Sequence, residues 1–172
     1  MANYEFVVCS DPFRVKEEAI KGMRTALNYF EESEVDSKGN CFIGSYGEQS
    51  CADDLKVVID KRTNKVLGTY DSGYYSLEDF IEENGADIEE ALAENNIVDT
   101  KETYDIEDFQ ELDFADYIQQ NLAEGEYVFI KEVGHEKLRY ACAYGFLITK
   151  DKQVWIDIDR IADKVIKGEI TI

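Results

Sequence analysis

Between Asp71 and Glu126 the 172-residue sequence contains one lysine, Lys101, and no arginine or histidine. An interval so poor in bases cannot grip phosphates, so direct binding of nucleic acid is not expected. Other scarcities narrow the chemistry further. With a single histidine, His135, the cysteines Cys9, Cys41, Cys51 and Cys142 have neither a CxxC pair nor a Cys/His metal spacing. GxSxG, P-loop, GxGxxG and HExxH patterns are missing. His135 stands beside Gly134 in what reads as a hairpin turn, a place for solvent-exposed filler. No catalytic residue, cofactor or metal site is expected, and the chain is read as not an enzyme. No apolar run approaches the roughly 20 residues of a membrane helix, and no basic-then-apolar leader opens the sequence. A cytoplasmic protein with reduced thiols and no membrane partner follows as the expectation.

What fills the base-poor interval is carboxylate. Nineteen aspartates and glutamates stand there against the one lysine, a net −18 out of −20 for the chain. The remainder, with 19 acids and 17 bases, is nearly balanced. Hydrophobic residues form 44% of the sequence and aromatics 12%, enough apolar surface to fold, so the interval is no disordered tail. A single domain over 1–172 is expected, with 71–126 an acidic segment within it.

Periodicity gives an outline of the fold. The opening YEFVVCS reads as a strand. Asp11 as N-cap, Pro12 at the first helical position, and Phe13, Ile20, Met23, Leu27 and Phe30 at helical spacing predict a long helix from Pro12 to Glu32. A short CFIG strand lies among turn residues. LKVVID and KVLGTY around KRTN predict a β-hairpin. In the acidic segment, Ser76/Asp79, Asp87/Glu90, Asp105/Asp108 and Asp113/Asp116 have capping-box spacing, which predicts several short helices, with Gly85 and Gly125 at helix ends. From Tyr127 to Asp157 three strands are predicted, then a helix from about Asp159 to Lys167 ending at Gly168, and EITI as an edge strand. The fold class is α+β: a mainly antiparallel sheet with a long N-terminal helix and an acidic insertion of short helices.

Two uses of the charge compete. It can simply keep the chain soluble, although halophile adaptation would spread acids evenly, unlike the balanced remainder. Alternatively, rigid helices bearing carboxylates can imitate the charge density of a duplex and occupy a basic cleft. The residues expected to do so are Glu78, Asp79, Glu82, Glu83, Glu89, Glu90, Glu94, Asp105, Glu107, Asp108, Glu111, Asp113 and Asp116. The expected partner is a basic nucleic-acid-binding protein. An immunity protein against a nuclease toxin predicts the same face. A small enzyme with a carboxylate-based site is the alternative of another class, and its mark would be a pocket holding His135 or carboxylates with raised pKa values.

Size, a soluble α+β chain and carboxylates massed over Asp71 to Glu126 make the sequence resemble acidic anti-defence proteins of phages and mobile elements, the antirestriction and anti-CRISPR proteins. The likeness is one of composition and size, without a motif matched residue by residue. It implies a partner class: a restriction nuclease or CRISPR effector in the host cytoplasm, blocked where DNA docks.

Overall fold

Three antiparallel sheets share the chain in a computed structural model that describes residues 4–46, 54–93, 105–136 and 140–169. In the largest, β1 (Tyr4–Ser10) lies between β5 (Gly44–Tyr46) and β9 (Tyr127–Glu136), and β10 (Tyr140–Thr149) and β11 (Gln153–Asp157) extend it as a meander. Strand alternation turns Val8, Val128, Ile130, Phe146 and Ile148 inward, where all are buried. The three predicted strands after Tyr127 are these three. His135, however, belongs to β9 and not to a turn: it pairs with Glu5 on one side and Ala141 on the other. Gly134 is buried within the strand, between Phe6 and Cys142.

The predicted long N-terminal helix does not form. Asp11 and Pro12 lie outside any helix, and β2 (Phe13–Arg14) pairs with β4 (Asn40–Phe42), which also pairs with β3 (Glu34–Val35). Phe13 and Val15 are buried while Arg14 and Lys16 are exposed, a period of two that contradicts a helix there. Helix α1 runs only from Ile20 to Leu27, after a 3-10 turn at Glu17–Ala19.

The hairpin reading holds. β6 (Leu55–Asp60) and β7 (Lys65–Asp71) pair across Lys61–Asn64, with Asn64 left-handed at φ 55°. β8 (Phe109–Asp113) flanks β6 on its other side. The run Val57-Val58-Ile59 is buried throughout because this sheet is covered on both faces. Leu55, Val57 and Ile59 join the main core with α1 and with α3 (Phe114–Asn121). Val58, Tyr70 and Phe109 pack on the opposite face against α2 (Leu77–Ala93). Gly22 lets α1 approach closely: a Cβ there would lie 2.4 Å from the Tyr117 hydroxyl and 2.9 Å from Val66.

The acidic segment is therefore not a row of short helices. Its described part is one 17-residue helix, a 3-10 turn at Ile106–Asp108, strand β8 and α3. Gly85 and Asp87, read as a stop and a start, lie inside α2; a glycine in an exposed helix costs about 1 kcal/mol, too little to end one seated on a sheet. Gly125 does turn the chain, at φ 76°, four residues past the end of α3. The closing helix α4 (Ile158–Ile166) ends as predicted at Gly168, φ 72°. Gly168 N–H donates to Val165 O and Glu169 N–H to Lys164 O, a Schellman motif. EITI falls at or beyond the boundary of the described residues. No helix among the described residues is long and apolar enough to cross a membrane.

Candidate partner-binding face

Helix α2 begins where its sequence says it should. The Ser76 hydroxyl accepts from Asp79 N–H at 3.2 Å, and Asp79 Oδ2 accepts from Ser76 N–H at 2.9 Å and from its hydroxyl at 2.7 Å. These bonds, the Ser76 hydroxyl first, hold the Asp79 carboxyl below its ordinary range. The helix is seated by Phe80 and Ile88, with Leu77 and Ile81 beside them. Gly68 makes the seat: a Cβ there would lie 2.8 Å from the Phe80 ring, which stacks on Tyr70 at 5.6 Å between centroids.

With that stripe buried, every carboxylate of α2 faces water. Glu78, Asp79, Glu82, Glu83, Glu89 and Glu90 are exposed, and Asp87 joins them, a residue the capping pattern had assigned to a helix start. None of the seven has an ion-pair partner among the described residues. Glu94 lies outside those residues. The pairs Glu78/Glu82, Asp79/Glu83 and Glu83/Asp87 put like charges four apart, each costing about 0.2–0.5 kcal/mol. Glu89 and Glu90 stand near the end of the helix where the dipole disfavours anions.

The remaining predicted carboxylates behave differently. On β8 and its flanks they are tied to the frame. Asp113 pairs with the Lys56 ammonium, which this bond raises above its ordinary pKa. Tyr70 donates its phenol to Glu111. Burial, with that bond next, pushes the Tyr70 hydroxyl well above its usual range and keeps it protonated. Asp108 lies 3.6 Å from Arg62 and accepts from Asp105 N–H, while Asp116 accepts from Gln153 at 2.6 Å. Glu107 is exposed, and its backbone oxygen accepts from Lys61 at 2.7 Å. The bases of β6 and its turn thus offset part of the charge on β8, whereas α2 keeps all of its own.

That imbalance has a consequence for stability. Added salt shortens the Debye length from ~10 Å at 0.1 M to ~3 Å at 1 M and should relieve repulsion along α2. The melting temperature is expected to rise by at least about 2–4 °C over that range, the shift that 1 kcal/mol produces in a chain of this size. A melting temperature that stays level or falls would show that the acids do not repel one another appreciably.

Two concavities adjoin these elements. A groove of about 520 Å³ runs between α1 and α3. The buried Tyr117 phenol lines it, pushed up to about 12 by burial and so neutral at pH 7. Glu18 and Lys21 at its rim are exposed. A smaller cleft of about 280 Å³ opens at the root of α2, lined by Tyr29, Tyr74, Tyr75 and Phe80 together with Asp71 and Glu83. Of the residues expected to meet a partner only Glu83 lines this cleft; its aromatic walls were not foreseen. Its signal was the Tyr74-Tyr75 pair, two aromatics in a turn that no periodic stripe claimed.

Of the cysteines, Cys41 is buried and burial pushes its thiol up to about 12, which makes it inert. Cys9 is only half-buried, on the face of β1 opposite the buried Val8. Cys51 and the side chains of Cys142 and His135 fall outside the description. Among the described residues no group of three or more His, Cys, Asp or Glu side chains is placed to hold a metal ion. Comparison with known proteins finds no matching family model, no similar curated protein and no similar solved structure.

Proposed function

We propose that the protein is a non-catalytic acidic inhibitor whose α2 face occupies the basic nucleic-acid-binding cleft of a nuclease, in the manner of an antirestriction or anti-CRISPR protein. The observation that carries this reading is that the α2 carboxylates have no ion-pair partner among the described residues. Seven carboxylates stand on 17 helical residues with no base among them. At ~1.5 Å per residue the helix is about 25 Å long. One strand of a duplex carries a phosphate every ~3.4 Å, or about seven over that length. The helix therefore matches the linear charge of one strand. It keeps this charge despite the repulsion described above, an arrangement that a purely solubilising face does not need, since intervening lysines would dissolve the chain equally well. A basic groove would steer the helix in and turn that repulsion into attraction.

The test is competition. Tagged chain is used to retrieve nucleic-acid-binding enzymes from a bacterial extract at low salt, and duplex DNA is then added. Release of the retained enzyme by excess duplex and by 1 M salt is expected, because helix and DNA occupy one groove. Retention that ignores both DNA and salt would sink the reading.

A further inference from the structure

We infer that the tyrosine-lined cleft at the root of α2 is a binding site for one cationic side chain of the partner, an arginine in preference to a lysine. The inference rests on α2 as a docking face, but its chemistry is independent of it.

Three features of the cleft converge. Its walls are aromatic: Tyr29, Tyr74, Tyr75 and Phe80 surround about 280 Å³. Tyr74 is 83% exposed and Tyr75 46% exposed, on a surface otherwise crowded with carboxylates. Large aromatics are common anchors of an interface, and aromatic faces attract cations through their quadrupoles. The volume is close to the lower end of the ~300–1,000 Å³ seen for drug-sized ligands, room for a side chain and little more.

The second feature is Asp71. It is only 4% exposed, yet its carboxylate lines the cleft. One oxygen accepts from Gly73 N–H at 2.7 Å. Among the described residues no lysine or arginine pairs with the group. A carboxylate this little exposed gains from a countercharge that can reach it through the cleft. The same residue builds the cleft, since its backbone oxygen accepts from Tyr74 N–H at 3.2 Å and Tyr75 N–H at 2.9 Å. The turn that carries the two tyrosines thus places this carboxylate in the same cleft.

The third feature is Glu83, an exposed carboxylate of α2 at the cleft wall. Two carboxylates and aromatic walls suit a planar guanidinium, which forks to carboxylate oxygens while its faces lie on rings. An ammonium is more strongly hydrated and can use only part of this arrangement. A partner arginine seated here would fix the register of α2, which repeating charge alone leaves free to slide.

The experiment uses the full chain and small probes, so it needs no partner. Aromatic resonances are followed by NMR during titration with N-acetylarginine amide, N-acetyllysine amide and the neutral isostere N-acetylcitrulline amide. Saturable shifts at Tyr74, Tyr75 and Phe80 are expected with arginine, weaker ones with lysine and none with citrulline. Asp71→Asn retains an acceptor for Gly73 N–H and should weaken arginine binding at least about tenfold. Glu83→Gln, exposed and so harmless to folding, should weaken it several-fold. Equal shifts with citrulline, no shifts with arginine, or unchanged affinity in both variants would overturn the site. Arginine binding without any DNA-displaceable partner would leave the cleft standing and remove the docking reading. The converse result would remove only the cleft.

Discussion

Changing Glu82, Glu83, Glu89 and Glu90 together to lysine is expected to weaken partner binding at least about a hundredfold, while each single change costs less than about fivefold. An exposed ion pair is worth on the order of 0–1 kcal/mol, so one lost contact at the rim is minor. Four reversals replace attraction by repulsion along the whole helix and collapse the steering field. The choice of residues follows from the geometry. All four are exposed and make no ion pair among the described residues, so the helix should survive, as circular dichroism would check. Reversing Asp108 and Glu111 instead would break the contacts with Arg62 and Tyr70 and mix stability with binding. Affinity measured across a salt series decides the matter. Unchanged affinity with a flat salt dependence would reduce α2 to a solubilising face.

The largest expected loss of stability lies at Asp60. Its side chain is fully buried at the end of β6 and organises the hairpin turn. It accepts from Arg62 Nε at 3.1 Å, Thr63 N–H at 3.0 Å and the Thr63 hydroxyl at 2.5 Å. Burial alone would raise its pKa, but these bonds outweigh it and hold the carboxyl below its ordinary range. Asp60→Ala removes several bonds to a charged acceptor and should cost about 2–4 kcal/mol, read from urea unfolding. Because the group titrates lower folded than unfolded, its contribution is complete above the ordinary value near ~3.9. It is lost as pH falls through the lower, folded value. Stability should therefore fall as the pH drops below about 4, and the fall should be shallower in Asp60→Asn. An Asp60→Ala chain within about 0.5 kcal/mol of the parent, the range of an ordinary surface change, would contradict this account.

Local signals were read well where local forces decide. The KRTN hairpin, the Ser76/Asp79 cap and the Gly168 terminus each rest on chemistry contained within a few residues. Elements fixed by distant partners were read poorly. Phe13 entered a helical count because it stands seven residues before Ile20, but it pairs with Cys41, a contact no window around Phe13 contains. In β8, Phe109 and Leu112 have helical spacing and face opposite sides of a sheet buried on both faces, so alternation was invisible. The candidate face was legible as composition and not as geometry. The sequence could not separate the carboxylates of α2 from those that Lys56 and Arg62 neutralise, because these bases come from β6 and its turn, nearly 50 residues or more upstream.

The pairing of β1 with β9 joins Tyr4 to Glu136 and Ser10 to Ile130. A chain emerging from the ribosome holds its first strand ready long before that neighbour exists. Everything synthesised in the interval must stay dispersed while one edge of β1 is open, and most of the negative charge is made during that wait. Contacts this distant slow folding, because loop-closure entropy is lost before the sheet can return it. Charge made during that wait sets unfinished chains against one another before any partner is met.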